Sequence, residues 1–403
     1  MKILFITGLY PQTEVKILNT YSRVGIQNAP NVFQWAVVDG LIKNEAEFEV
    51  VSCPFLPSYP LSYKQCFTPS SDIIHNGKKI GKMLSYCDLV GFKTISIKWA
   101  IYRYIKNWAE RESKHGERLV LLSYTPYPPF LPSIKQIKKK YNLVVATIVT
   151  DLVDNIFDFK ANRTLLKRFQ SLLLVRNTKS LYPDIDKFIL LSKHMEEKIP
   201  QSKGRSVIIE GIATPRNNIE PKHEIPIRSF LYTGVLETFA CVDSLVHAFM
   251  RISNPDIRLV ICGAGPLSRM IEESAEKDRR IDFRGMVSRK EAIRLQKEAT
   301  ILINPRKPNN GITKYSFPSK TMEYMSSGTP MIGYKLEGIP EEYYLYYYTV
   351  EGNDEESLVS TMLNTISLSQ ETLNRKARLA FDFIQKNKTS MIQVRKMINF
   401  LKQ

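Results

Sequence analysis

Two doubly wound α/β domains facing a cleft are what this 403-residue sequence predicts, and three observations predict them. Short apolar runs alternate with longer helical patterns, the signature of βαβ units around parallel sheets. The alternation breaks once, over residues 213–227 (ATPRNNIEPKHEIPI), where three prolines, mixed charge and no periodicity read as a linker. The length also exceeds what one hydrophobic core ordinarily supports.

In residues 1–212, strands are expected over Lys2–Thr7, Phe48–Ser52, Leu119–Ser123, Leu143–Thr150, Phe188–Leu191 and Val207–Ile209. Helical patterns fit Val32–Asn44, Phe92–Ser113, Pro132–Tyr141 and Arg163–Lys179. After the linker, a second domain over 228–387 starts with strand Phe230–Thr233 and helix Val242–Ile252. Strand Arg258–Cys262, helix Leu267–Glu276, strand Ile281–Arg284 and helix Arg289–Glu298 follow. Strand Ile301–Asn304, helix Pro318–Ser327 and strand Met331–Tyr334 complete the alternation. The tail from Glu355 to Lys402 is helical by pattern, and its last helix, 388–403, is a candidate to pack back on the first domain. Ligand crevices in such sheets lie at the carboxyl ends of the strands, so the loops after Thr7, Thr150, Thr233, Cys262, Arg284 and Asn304 are the ones to inspect.

Composition narrows the class. Apolar residues at 43% and charged residues at 24% exclude a disordered, collagenous or disulfide-scaffold chain. Five scattered cysteines form no CxxC pair and read as reduced thiols in a cytoplasmic protein. The N-terminal MKILFITGLYP is too short for a signal h-region and reads as a first strand. No run approaches the roughly 20 apolar residues of a spanning helix.

The net charge of +17 is uneven, and residues 78–140 alone hold 14 basic against 4 acidic side chains. A one-sided basic field points to nucleic acid, an anionic membrane surface or phosphorylated small molecules; a solvated basic face is the plainer alternative. Ile97, Ile101, Ile105 and Trp108 form a stripe flanked by Lys93, Lys98, Arg103 and Lys106. Leu165, Leu166, Phe169, Leu172 and Leu173 repeat it beside Lys167, Arg168 and Arg176. Each pattern fits an interfacial helix on an anionic bilayer or a core-facing stripe with a basic outer face.

The most informative segment is Ile301–Gly333, ILINPRKPNNGITKYSFPSKTMEYMSSGTPMIG. Pro318 suits a first helical turn and Gly328 a position closing the helix. The free amides of Ser319 and Lys320 would make an anion site, with Lys320 adding a mobile cation. Glu323, five residues past Pro318, would fall near a ribose attached to a diphosphate at the helix tip. An ordinary capped helix with a surface glutamate fits as well.

Taken together, these pieces resemble the GT-B glycosyltransferases, specifically the large retaining family that includes many capsule and exopolysaccharide enzymes (family 4). EYMSSGTP (Glu323–Pro330) is similar to the second half of that family's Glu-x7-Glu element. VICGAGP (Val260–Pro266) resembles its nucleotide-proximal turn at Gly263, and FRGMVSRKE (Phe283–Glu291) the stretch whose backbone, at Met286 and Val287, meets the base. YTGVLE (Tyr232–Glu237) is similar to the first strand of the donor domain. KILFITGLYP with VGIQNAPNVFQWAVVDGL (Val24–Leu41) resembles the start of the acceptor domain, Gly25 matching the glycine that approaches the donor phosphates. FILLSKHM (Phe188–Met195) and VIIEGI (Val207–Ile212) resemble that domain's last strands.

The resemblance implies an acceptor-binding first domain and a nucleotide-sugar-binding second. Three departures redirect the site residues. The family's first glutamate falls at Tyr315; its clamping Arg and Lys fall at Val235 and Ala240; and TDLVD (Thr150–Asp154) stands where an acceptor-domain histidine is usual. The diphosphate clamp is then expected from Arg306, Lys307, Lys314 and Lys320, because phosphate requires charge-assisted donors; a solvated basic loop is the alternative. Asp151 is a candidate to hold a sugar hydroxyl or act as a base, or simply to cap the next helix. Asp151 and Lys320 therefore carry the catalytic expectation. Gly25, Gly263, Met286, Val287, Arg306, Lys314, Tyr315, Phe317, Ser319, Lys320 and Glu323 form the donor set.

The expected activity is metal-independent glycosyl transfer, with retention and without a resident cofactor. The donor is a nucleotide-sugar and the acceptor a lipid-linked or oligosaccharide chain in surface polysaccharide biosynthesis, at the inner membrane face. A nucleotide-sugar 2-epimerase of the same fold and a basic nucleic-acid-binding protein are the rivals. The second lacks the interleaved aromatic residues that single strands stack on, so no nucleic-acid partner is expected. Asp184-Ile-Asp186 mimics a metal-binding DxD but precedes a strand, and the five histidines form no i, i+4 pair, so no metal is expected.

Overall fold

The computed structural model describes residues 1–26, 28–132, 134–156, 165–215, 218–308 and 313–403. The chain divides into two compact units, Met1–Ile212 with Ser390–Gln403, and Ala213–Thr389. Both are doubly wound, Rossmann-like α/β units.

The strands of the first unit are β1 (Lys2–Thr7), β2 (Glu47–Ser52), β3 (Phe67–Thr68), β4 (Ser71–His75), β5 (Lys78–Met83), β6 (Tyr86–Cys87), β7 (Leu119–Ser123), β8 (Val144–Val149), β9 (Lys187–Leu190) and β10 (Ser206–Ile208). Its helices are α1 (Val15–Tyr21), α2 (Asn28–Lys43), α3 (Lys93–Glu112), α4 (Ile134–Tyr141), α5 (Val153–Ile156) and α6 (Leu165–Lys179). The second unit contains β11 (Arg228–Thr233), β12 (Ile257–Cys262), β13 (Ile281–Phe283), β14 (Ile301–Asn304), β15 (Met331–Tyr334) and β16 (Tyr348–Val350). Its helices are α7 (Val242–Met250), α8 (Ser268–Lys277), α9 (Arg289–Glu298), α10 (Ser319–Met325), α11 (Glu355–Ile366) and α12 (Gln370–Asn387); α13 (Ser390–Lys402) returns to the first unit.

The first sheet runs β10-β9-β8-β7-β1-β2-β5-β4, parallel except for the β4–β5 edge. The second runs β13-β12-β11-β14-β15-β16, all parallel. Numbered within the unit, that is the order 3-2-1-4-5-6, whose reversal between β11 and β14 opens a crevice at the strands' carboxyl ends. In the first sheet the reversal lies between β1 and β7. The central strands are buried on both faces, which is why they read as continuous apolar runs.

Helix α13 completes the first core. Val394, Met397, Ile398 and Leu401 join the cluster built on β1, β2 and β7. Gly40 of α2 permits the close approach, because a Cβ there would lie 2.3 Å from Val394 Cγ2 and 2.5 Å from the Ser390 carbonyl. Ser390 Oγ donates to Asp39 Oδ2 at 2.5 Å.

Several expectations shift. Ile97, Ile101, Ile105 and Trp108 of α3 are buried, so this stripe faces the core and not a bilayer. In α6, Leu172 and Leu173 are exposed, while the Arg163 start and the side chains of Leu165, Leu166, Lys167, Arg168 and Phe169 lie outside the described residues. The prolyl segment 213–227, read as a linker, is fastened to the second unit: Lys222 N–H donates to Asn374 Oδ1 at 3.2 Å, and Arg378 Nη2 donates to the Ile219 carbonyl at 2.6 Å. Arg216 and Asn217 of that segment lie outside the described residues, as do Gln27 and the loop residues 309–312. Asp186 is structural, pairing with Lys138 at 2.6 Å and accepting from the Val145 amide at 2.8 Å. Of the five tyrosines in residues 343–348, Tyr343 and Tyr347 are buried, and the Tyr343 and Tyr346 rings pack on Phe383. Among the described residues, no helix is long and apolar enough to cross a membrane.

Candidate functional site

In the second unit the loops leaving three neighbouring strands are laced together. Gly234 N–H donates to the Cys262 carbonyl, Gly263 N–H to the Gly285 carbonyl and Leu236 N–H to the Ala264 carbonyl, at 2.8, 2.8 and 3.1 Å. Gly263 fits because it lacks a side chain: a Cβ would lie 1.8 Å from the Gly234 carbonyl oxygen. This lacing holds the floor of the crevice at the β11/β14 reversal.

Helix α10 crosses that floor. It spans seven residues instead of the expected ten; Ser326 caps it, and Gly328 stands two residues beyond the cap with φ +81°. At two turns it offers little macrodipole, so anion binding falls to side-chain cations. Its buried side is anchored by Tyr324, whose hydroxyl accepts from Thr233 N–H at 2.9 Å and donates to the Thr233 carbonyl at 3.2 Å.

That anchor aims the two residues of interest. The Lys320 side chain runs over Gly234, so close that a Cβ there would sit 2.0 Å from Nζ, and its ammonium lies 5.5 Å from the Tyr232 ring centroid. Among the described residues, Lys320 has no carboxylate within ion-pair distance. Burial pushes its pKa below the usual lysine value, the Glu323 carboxylate lifts it, and the Arg306 guanidinium lowers it. A partly desolvated cation beside a second cation is stabilised by an arriving anion. Glu323 is exposed, and its Oε1 accepts 2.6 Å from Nε2 of Gln296, a fully buried residue of α9. The second Gln296 Nε2 hydrogen goes to Thr233 Oγ1 at 3.1 Å. The carboxylate is therefore fixed from below with its other face toward solvent. Nothing in RKEAIRLQKE marks Gln296 in the sequence; only the packing of α9 under α10 reveals it.

The other donor candidates are placed as follows. Gly263 lies in the floor, and Met286 and Val287 follow β13, Met286 largely exposed. Arg306 follows β14 with its guanidinium 5.8 Å from the Phe239 ring. Lys314 and Tyr315 lie on a turn, the ammonium 5.8 Å from the Tyr315 ring. Ser319 is exposed at the start of α10. Phe317 faces inward, 5.3 Å from the Tyr343 ring, where it supports packing. Lys307 acts toward Asp354, whose carboxyl is held low chiefly by the Ser357 amide and hydroxyl.

The corresponding crevice of the first unit is a cavity of 620 Å³. Gly25 and Asp151 both line it, together with Phe55, Tyr124, Tyr127, Phe130 and Leu174. Gly25 adopts φ +77°, left-handed backbone that favours glycine. Phe55 stacks on Phe130 at 5.6 Å, and Tyr127 meets Phe130 edge-on at 5.3 Å. Burial raises the Tyr124 phenol, its Thr150 contact opposes that, and the Asp151 charge reinforces it. Asp151 itself is exposed, at the bend between β8 and α5. Among the described residues, no three His, Cys, Asp or Glu side chains converge as a metal site would require.

With this geometry in hand, likeness to known proteins is informative. Residues 227–367 match the family model described as "Glycosyl transferases group 1". No curated protein sequence matches the chain. Among solved structures, sucrose-phosphate synthase from Thermosynechococcus elongatus superposes with a TM-score of 0.63 at 13% identity, over 100% of this chain and 99% of that one. The lipopolysaccharide outer core galactosyltransferase WaaB, in its apo form, gives 0.60 at 13%, over 100% and 99%. Anabaena HepE, solved in complex with UDP, gives 0.58 at 11%, over the full length of both chains. The chain has the GT-B fold, and its residues 227–367 are similar to the group 1 glycosyl transferases.

Proposed function

We propose that the protein transfers a glycosyl group from a nucleotide-diphosphate sugar to a lipid-linked or oligosaccharide acceptor in surface polysaccharide assembly. The observation that carries this reading is that the β11/β14 reversal brings the Lys320 ammonium and the Glu323 carboxylate that Gln296 holds to one crevice, near but not ion-paired. Glu323 accepts the ribose hydroxyls, Lys320 with Arg306 and Lys314 neutralises the diphosphate, and the loop at Met286–Val287 meets the base. HepE, solved with UDP and with UDP-glucose, makes uridine nucleotides the first to test. The aromatic cavity of the first unit takes the acceptor, with Asp151 holding its hydroxyl.

In the reaction the acceptor oxygen bonds to the anomeric carbon as the bond from that carbon to the diphosphate oxygen breaks. The hydroxyl proton passes to the departing diphosphate, so attack from the leaving-group side retains configuration. Negative charge grows on the diphosphate as the bond breaks, and side-chain cations fixed beside it stabilise that state most. This route calls on side-chain cations and not on a metal.

Calorimetric titration with UDP, GDP and ADP, followed by turnover with the matching nucleotide-sugars in EDTA, tests the reading. Micromolar binding of one nucleoside diphosphate and an acceptor-dependent product of retained configuration are expected. Failure of every nucleotide to bind overturns it, and acceptor-free conversion to a 2-epimer replaces it with the epimerase.

A further inference from the structure

The outer face of α3 carries a surface that the proposed chemistry does not use. Its buried face, Ile97, Ile101, Ile105 and Trp108, occupies the core. On the opposite side, Phe92, just before the helix, and Ile95 and Trp99 within it recur at i, i+3 and i+7, and they are 49%, 48% and 69% exposed. Leu89 and Val90, in the turn before the helix, are exposed as well. The same outer line continues one and two turns later as Arg103 and Lys106, with Lys98 at its side, all exposed. Residues 89–109 hold four basic side chains and no acidic one. The nearest preceding acid, Asp88, is buried and paired with Lys93 at 2.8 Å.

We propose that this face, from Leu89 to Lys106, seats on an anionic lipid bilayer. Leu89, Val90, Phe92, Ile95 and Trp99 enter the headgroup–acyl boundary, and Lys98, Arg103 and Lys106 pair with lipid phosphates. The arrangement suits a bilayer because its apolar end is flanked by three exposed cations, which anionic headgroups complement; the first acid on that line, Glu110, lies a turn beyond and acts on Lys106 alone of the three. It does not depend on the donor reading, since no residue of the second unit takes part.

The test is co-sedimentation of the full chain with phosphatidylcholine vesicles, with and without one-third phosphatidylglycerol, at low and high salt. UDP binding is measured in parallel. Binding to the anionic vesicles alone, weakened at least about tenfold by high salt, is expected. Trp99 emission should shift to the blue on binding; Trp108, at 1% exposed, should not report. Trp99→Phe should remove most of the shift while preserving binding. A K98Q/R103Q/K106Q variant should bind about 100-fold more weakly, at roughly fivefold per charge, and an F92S/I95S/W99S variant should be lost from the pellet. Both variants should retain the wild-type circular dichroism spectrum and UDP affinity. Absence of wild-type binding, equal recovery on neutral vesicles, or wild-type binding by both variants overturns the proposal. So does an apolar variant that turns a wild-type dimer into a monomer, because the face is then an interface between copies.

Discussion

The two sheets reverse direction in the same way, yet their crevices are chemically opposite. At the β11/β14 reversal the floor is glycine backbone, crossed by one lysine and one hydrogen-bonded glutamate. The carboxyl-end crevice of the first sheet is walled by aromatic and aliphatic side chains, with Asp151 among the few charged groups. The shared reversal therefore sets where a ligand binds, and the side chains set which ligand. A site of charge and hydrogen bonds discriminates sharply, whereas an apolar cavity discriminates by volume and tolerates variation.

Lys320→Ala should produce the largest effect. Removing one preorganised donor from a developing anion costs turnover about 100- to 1,000-fold, and binding of a nucleoside without phosphates should be unchanged. Steady-state kinetics beside nucleoside titration decides this; unchanged turnover would move the phosphate site elsewhere and end the contrast between crevices. Glu323→Gln comes next. Charge-assisted bonds of about 1.5–3 kcal/mol each translate into a loss of nucleotide affinity of at least tenfold. Gln296→Leu should reproduce a part of it, about fivefold, by leaving the carboxylate unaimed, and calorimetry on both variants separates contact from positioning.

In the first unit, Tyr127→Ala should raise the KM for the acceptor by up to about tenfold, an aromatic contact's worth, while donor affinity stays constant. A donor defect instead would show that the division of labour is misdrawn. The smallest effect concerns stability. Burial lowers Lys222 to about 7, so between about pH 7 and 10.5 the unfolded chain holds a proton that the folded chain lacks. Stability must then rise with pH across that window, by about 1 kcal/mol between pH 7 and 8. Lys222→Met should flatten this slope in denaturant melts of the full chain; an unaltered slope would mean that the amine is hydrated.

Much of the second unit was legible because its elements are regular. Ile301–Asn304, Met331–Tyr334 and Arg289–Glu298 appear with the bounds that apolar runs and helical spacing predict. Residues 67–87 were not: β3 to β6 are short, half exposed and polar, as KKIGKM shows, so no period emerges. α1 escaped because only Leu18 of its seven residues is buried. The amphipathic pattern of α3 was visible, but a helix with apolar residues on two sides cannot announce which side the core will take. Glu323 and Lys320 were singled out by local spacing. Gln296 lies 27 residues from its partner, and its role exists only once two helices have packed.

The return of α13 to the first unit has a consequence for synthesis on the ribosome. The first unit lacks Val394, Met397, Ile398 and Leu401 from its core until α13 emerges. At about 5–20 residues per second, translating the intervening second unit takes roughly ten to thirty-five seconds. Throughout that interval the face of α2 at Gly40, which α13 covers in the folded chain, is bare. The nascent first unit is thus exposed to chaperones and proteases for longer than the second, which emerges whole before α13 does. A chain truncated just before Ser390 and released should accordingly show a protease-resistant second unit joined to a sensitive first.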